Sequence, residues 1–360
     1  MNPSAILRLC VRAPNWLGDA VMSLPAIGAI RRIFPHADLA VVARPSLADL
    51  YTRESTINRV IPYPAQSGIR SRFAFARQLR AFHFDCAILL PNAFDAALMA
   101  WMAGIPERVG YRRDGRGPLL TRAVAVPEPG EIPRHERFYY LELLRRAGLM
   151  EQFPPCDAIR LECAEAAREA GRRQLVRIGV PSPTIGISPG AAYGNAKRWL
   201  PERFAEAAAA LRPAAVLLFG AASERELCDT VAAAIAASTG GAAPDVRIEV
   251  RNLAGQTTLG EFIDLAAACR LFLTNDSGAM HVASALGIPT VSVFGATDDT
   301  TTGPTGPLAR VVREHAECSP CLLRDCPIDH RCMTRVTAQR VVAAANELVA
   351  DTVWTPVPKS

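Results

Sequence analysis

Apolar residues along this chain come in short runs of strand length, and between them lie stretches in which they recur every three or four positions. Ile6, Leu7, Leu9 and Val11 predict an opening strand, and the period then changes to helical over 20–34. Strands follow over 39–43 and 59–61, a helix over 72–82, a strand over 86–90, and helices around 96–103 and 135–148. A stretch rich in Pro, Cys and charge leads to a helix over 164–171, after which Pro181, Ser182 and Pro183 interrupt the chain. The alternation then resumes, with strands over 184–188, 215–219, 271–274 and 290–294 and helices over 202–211, 224–237, 259–269 and 280–286. Strand and helix alternating in this way build parallel α/β layers. At about 150 residues per domain, 360 residues predict two such domains in tandem with a cleft between them. The expected division is 1–178, 179–335, and a C-terminal helix and tail over 336–360 that could fold back onto the first domain.

Composition narrows the class. Half the residues are apolar, 21% are charged and 6% aromatic, with no low-complexity block, which excludes a disordered, collagen-like or disulfide-scaffold chain. The longest apolar stretches, such as 214–219, fall far short of the roughly 20 residues that cross a bilayer. The first residues read as a strand and not as a secretory signal, so a cytoplasmic location is expected. The net charge of +5 is unevenly spread: residues 1–160 hold 21 Arg against 14 acids (+7), and residues 161–360 hold 19 basic residues against 21 acids (−2). A basic first half suggests either an anionic partner or an arginine-rich solvated surface. Only Lys197 and Lys359 are lysine.

In parallel sheets ligands bind beyond the carboxyl ends of the strands, so the loops after strands carry the candidate chemistry. The loop after the first strand, Arg12 to Asp19, lacks the G-x-G-x-x-G fingerprint of a dinucleotide site. Asp19 falls at or beside a helix N-cap, either as a capping carboxylate or as a general base placed by the turn at Gly18. The loop from Ser188 to Trp199 is made of small residues and ends in Lys197 and Arg198. Cations at a helix start oppose its dipole, so an anion such as a diphosphate between them would explain their placement. The third loop, Thr274 to His281, runs strand, polar turn with Gly278, helix, which is the geometry for binding phosphate through backbone amides.

Together, R-A-P-N-W-L-G-D from Arg12 to Asp19, N-A-K-R-W from Asn195 to Trp199, N-D-S-G-A-M-H-V-A from Asn275 to Ala283, and the segment from Cys318 to Cys332 resemble glycosyltransferase family 9 over nearly the whole chain. These are the ADP-heptose:lipopolysaccharide heptosyltransferases, and the N-W-x-G-D and C-S-P-C elements look more like the type II members than the type I members. The resemblance implies an α/β GT-B fold, two Rossmann-like domains facing across a cleft, with acceptor on the first and sugar nucleotide on the second. It implies that Asp19 is the catalytic base, that Lys197 contacts the donor phosphate, and that the turn of Asp276, Ser277, Gly278 and His281 contacts the donor, while Arg198 joins these donor residues by its placement beside Lys197. Glu224 and Thr257 are placed with the donor-binding residues by the same match. Where the family carries two hydroxyl residues just before the lysine, this chain has Ala192 and Tyr193, so backbone groups are expected to meet the phosphate there.

The implied reaction moves heptose from ADP-heptose onto heptosyl-Kdo2-lipid A in the lipopolysaccharide core by a single inverting displacement. It needs no metal and no cofactor beyond the donor, and it implies a transient visit to the inner face of the plasma membrane. A type I or III heptosyltransferase and a GT-B sugar-nucleotide epimerase are the nearest alternatives. A nucleic-acid binder is disfavoured by the lack of a helix-turn-helix, RNA-recognition or basic-stripe motif. Cys318, Cys321, Cys326 and Cys332 are spaced C-x2-C-x4-C-x5-C with His330 among them, which permits a zinc or iron–sulfur site without the paired C-x2-C pattern of the common ones. Cys10, Cys86, Cys163, Cys228 and Cys269 fit apolar core patterns.

Overall fold

The computed structural model describes residues 3–63, 68–239 and 248–350. The chain divides into two compact units, 1–162 and 163–360. In the first, strands β1 (Arg8–Arg12), β2 (Asp38–Ala43), β3 (Arg59–Pro62), β4 (Cys86–Leu89), β5 (Glu107–Tyr111) and β6 (Arg122–Val124) form one parallel sheet in the order β3-β2-β1-β4-β5-β6. Helices α1 (Leu17–Met22), α2 (Leu24–Ile33), α3 (Ala48–Tyr51), α4 (Ile69–Arg80), α5 (Phe94–Met102) and α6 (Glu136–Arg146) connect and cover it. The second unit opens with α7 (Ala164–Arg177) and continues through β7 (Thr184–Ser188), α8 (Pro201–Leu211), β8 (Ala215–Leu218), α9 (Arg225–Thr239), β9 (Glu249–Asn252), α10 (Leu259–Ala267), β10 (Leu271–Asn275), α11 (Gly278–Ala285) and β11 (Thr290–Phe294). It ends with α12 (Asp299–Thr302), β12 (Ala309–Arg313), α13 (Arg331–Thr334) and α14 (Ala338–Val349). Its six strands are also parallel, in the order β12-β11-β10-β7-β8-β9.

Burial explains which strands the apolar pattern revealed. The central strands β4, β7, β8 and β10 are buried along their whole length, as strands covered on both faces must be. Four strands went unpredicted: β5 (ERVGY), β6 (RAV), β9 (EVRN) and β12 (ARVVR). Three of them lie at sheet edges and are partly exposed, so charged residues interrupt the apolar runs by which a strand is recognised. The helix expected over 20–34 is two helices, because Pro25 has no N–H to donate to the carbonyl four residues back, and the chain bends at Ser23.

Two expectations about the domains change. The boundary expected at 178/179 lies at 162/163, because α7 belongs to the second unit: a Cβ on Gly171 would stand 1.9 Å from the Asp264 carbonyl oxygen of α10. Only glycine allows that approach of two helix backbones, which outweighs its cost of about 1 kcal/mol in a helix interior. The C-terminal helix belongs to the second unit. Val341, Ala345 and Leu348 of α14 are buried in the second core together with Phe204 of α8 and Val312 of β12. The tail over 351–360, with Lys359, lies outside the described residues. Among the described residues no helix is long and apolar enough to cross a membrane.

In each sheet the strand order reverses beside a central strand, at β1/β4 in the first and β7/β10 in the second. Loops leaving the carboxyl ends of such a pair diverge and leave a crevice. Thr274 of β10 is in register with Ser188 of β7, so the loops beginning at 189 and 276 leave the second sheet side by side.

Candidate active site

In the second unit the structure brings together the two loops singled out by sequence. Asn275 at the end of β10 ties them: its Oδ1 accepts from the Trp199 N–H at 2.9 Å and its Nδ2 donates to the Pro189 carbonyl at 2.7 Å. Trp199 is buried and donates its indole N–H to the Val336 carbonyl at 3.0 Å. Lys197, held just before it in a 3-10 turn over Asn195–Lys197, then reaches Asp276, Nζ to Oδ2 2.6 Å. Thr297, after β11, donates to the same oxygen at 2.6 Å. Lysine and carboxylate are 14% and 5% exposed, so the pair is largely out of water. The ammonium also sits 5.1 Å from the Tyr193 ring centroid.

Arg198 donates to the Ala191 carbonyl at 3.4 Å, but its Nε–H is buried with no hydrogen-bond partner among the described residues. An unmatched buried donor beside a cleft of small residues is a place for an acceptor oxygen. Ser277 is the N-cap of α11, and its hydroxyl lies 3.2 Å from that of Thr274, so the helix opens at Gly278 with its first amides free of a side-chain cap. His281 is buried on the same helix.

Glu224 joins the assembly from the turn after β8. Its Oε2 accepts the Ala221 N–H at 2.9 Å, and a Cβ on Gly190 would stand 2.0 Å from its Oε1, so that glycine is what admits the carboxylate beside the loop after β7. Thr257 lies half-buried before α10, whose N-cap is Thr258. Its loop packs on the Glu224 turn through the Gly255 N–H to the Gly220 carbonyl, 2.9 Å.

The cysteine segment lies across the lysine turn. Cys326 N–H donates to Asn195 Oδ1 at 3.1 Å, Ala196 N–H donates to the Arg324 carbonyl at 3.0 Å, and Tyr193 OH donates to the Leu322 carbonyl at 2.9 Å. Asn195, Arg198, Trp199, Cys326, Ile328 and His330 line part of a groove of about 340 Å³. Burial and the neighbouring Cys318, Cys321 and Cys326 thiols push the Cys332 thiol up. All ten cysteines are reduced, and among the described residues no group of three or more His, Cys, Asp or Glu is placed to hold a metal ion. Cys10, Cys86, Cys228 and Cys269 are buried as expected, whereas Cys163 is only half-buried.

In the first unit Asp19 is the third residue of α1, and the cap position belongs to Trp16. Tyr140 of α6 donates to Asp19 Oδ1 at 3.5 Å. Glu136, one turn earlier on the same helix, is pushed up to about 7 by burial and by the Asp19 charge, with Arg113 opposing. Asp19, Glu136, Tyr140, Tyr51 and Arg113 therefore share this corner. Arg12 is buried over the Tyr63 ring, 4.2 Å to its centroid, and desolvation lowers its pKa to about 10.

Other arginines of this unit serve the fold. Arg31, Arg108 and Arg116 donate to backbone carbonyls of Thr56, Leu119 and Tyr111 at 2.7–2.9 Å, and Arg145 and Arg146 neutralise the fully buried Glu142. Part of the basic surplus is thus structural. Sequence reasoning missed Thr297, Glu136 and Tyr140, which come from elements remote in sequence from the motifs they meet.

Two doubly wound parallel sheets, the second carrying a largely buried lysine–aspartate pair beside the N-terminus of α11, match the GT-B architecture of glycosyltransferases. The family model for glycosyltransferase family 9 (heptosyltransferase) matches residues 72–331. The chain belongs to that family. It is 32% identical to lipopolysaccharide heptosyltransferase 2 of Escherichia coli K12, covering 95% of this chain and 99% of the relative. The solved structure of E. coli ADP-heptose lipopolysaccharide heptosyltransferase II superimposes with a TM-score of 0.79 at 31% identity, over 96% of this chain and 99% of that one. An E. coli heptosyltransferase solved with ADP shares the fold, with a TM-score of 0.67 at 18% identity over 95% and 100% of the two chains.

Proposed function

We propose that this enzyme transfers L-glycero-D-manno-heptose from ADP-heptose to heptosyl-Kdo2-lipid A during assembly of the lipopolysaccharide core, inverting the anomeric centre. The single observation that carries the reading is the meeting of Lys197 with the Asp276 turn at the mouth of β7 and β10, beside the unmatched Arg198 Nε–H. The name of the relative at 32% identity supplies the sugar and the pathway.

The second unit binds the donor. Its diphosphate meets the Lys197 ammonium, the Arg198 guanidinium and the first amides of α11, while Glu224 and Thr257 serve the nucleoside and His281 backs the turn. Lys197 is already half-neutralised by Asp276, so it is held in place for the anion at the cost of some charge, and Arg198 and the helix terminus complete the field. In the reaction the acceptor hydroxyl oxygen bonds to the anomeric carbon, its proton passes to Asp19, and the bond to the diphosphate breaks with its electron pair leaving on ADP. Charge grows on the diphosphate as that bond breaks, which is where fixed cations lower the barrier. No metal or cofactor is required by this scheme. The acceptor is anchored in lipid, so the enzyme works in the cytoplasm at the inner face of the plasma membrane.

Incubation with ADP-heptose, with and without acceptor, tests this reading. ADP should be released only when acceptor is present. Consumption of the donor at a similar rate without acceptor would make the protein an epimerase or hydrolase.

A further inference from the structure

Helices α4 and α5 pack side by side on the first sheet and are fixed to each other by two arginines: Arg72 Nε lies 2.8 Å from Asp95 Oδ1, and Arg80 donates to the Met102 carbonyl at 2.8 Å. Their inner faces are ordinary core. Phe75, Ala76 and Leu79 of α4 and Ala96, Ala97, Met99 and Ala100 of α5 are buried. Their outer faces are not ordinary surface. Phe73 on α4 and Phe94 and Trp101 on α5 are 60%, 46% and 52% exposed. Arg70 and Arg77 flank Phe73 at helical spacing (i, i+3, i+7) and are exposed. Phe94, half-buried Leu98 and Trp101 run along α5 at i, i+4, i+7. Across both helices there are four arginines and one acid, Asp95, which Arg72 already neutralises.

Single exposed apolar residues need no explanation, but three large aromatics on a two-helix face, framed by Arg70 and Arg77 with no ion pair among the described residues, do. An aromatic ring with arginine beside it suits the headgroup boundary of a bilayer, where the ring enters the interface and the guanidinium meets lipid phosphate. We propose that this α4–α5 face docks the first unit on an anionic phospholipid surface. Its charge selects that occupant: a second copy of the face would bring arginine against arginine, and a neutral bilayer would leave Arg70 and Arg77 unmatched. The inference deepens the proposed lipid acceptor by naming the surface that meets the membrane. It is nonetheless read without substrate, so either reading can fail alone.

Flotation of the full-length protein with vesicles of phosphatidylcholine alone, and with phosphatidylglycerol added, tests the proposal. Binding is expected only to the anionic vesicles and should weaken between about 0.15 M and about 1 M salt, as surface charges are screened. Each surface arginine contributes about fivefold, so Arg70→Gln with Arg77→Gln should bind about 25-fold more weakly. Phe73→Ser with Trp101→Ser should also lose vesicle binding, with unchanged circular dichroism and an unchanged rate on a water-soluble, deacylated acceptor. Equal binding to both vesicle types, or unaltered binding by either double variant, would overturn the proposal. So would a wild-type protein that ignores vesicles and self-associates through this face, with the aromatic variant monomeric in the ultracentrifuge.

Discussion

Breaking the Lys197–Asp276 pair from either side should destabilise the second unit more than its modest exposure suggests. The charges are 2.6 Å apart and 14% and 5% exposed, so removing one leaves the other mostly dry with little compensation, Thr297 being the further hydrogen-bond partner of Asp276 among the described residues. Loss of one member of a buried pair costs about 3–5 kcal/mol, and the slight exposure of the lysine favours the lower end, about 3. Lys197→Met and Asp276→Asn should each cost that much. The double variant, with no stranded charge, should fall at least about 2 kcal/mol short of the sum. In a unit of this size about 3 kcal/mol corresponds to a fall in Tm of roughly 6–12 °C. Urea unfolding of the four proteins measures the cycle. Repeating it with ADP at about 100 times Kd should add about 2.7 kcal/mol to the wild type and far less to Lys197→Met at the same concentration. Additive single effects would refute the ion pair, and equal stabilisation of both proteins by ADP would refute the lysine–phosphate contact.

Three further predictions follow from individual side chains. Asp19→Asn should keep the fold and ADP affinity while lowering kcat by at least about 100-fold, measured as heptose transfer in a protein with unchanged thermal unfolding. Glu136 holds its proton to about pH 7 in the folded protein and to about 4.5 when unfolded, so folding stability falls as pH rises between those values; Glu136→Gln should remove about 1–3 kcal/mol of that fall, read by urea unfolding at the two ends of the window. Gly190→Ala places a methyl carbon 2.0 Å from Glu224 Oε1 and should displace that carboxylate, weakening ADP binding about tenfold by calorimetry; in a Glu224→Ala background the same change should have little further effect.

Central strands and the loops that follow them were legible because both carry strong local signals. β7 (TIGIS) and β10 (LFLTN) are buried throughout and free of charged residues, and the lysine and Asp-Ser-Gly turns follow them. What was hidden depends on contacts between distant segments. Nothing in the run ARVVR distinguishes β12 from a loop until Thr290 to Phe294 pairs along it. The helix expected to end at Gly171 runs on to Arg177, with Gly171 letting α10 approach, and the Pro181-Ser182-Pro183 break that suggests a domain boundary lies inside the second unit. Thr297 reaches Asp276 only because β11 returns it to the carboxyl edge of the sheet. Arginine counts misled in part: Arg116 and Arg108 brace carbonyls inside the first unit, which charge summed along a sequence cannot reveal.

The most direct measurement is transfer of heptose from ADP-heptose to two synthetic acceptors, Kdo2-lipid A bearing no heptose and bearing one, with the linkage of the product read by NMR. The account predicts one heptose added to the acceptor that already carries one, with the anomeric configuration opposite to that of the donor, and little product from the other. Transfer to the heptose-free acceptor, a retained configuration, or no transfer at all by a folded protein that binds ADP would contradict it.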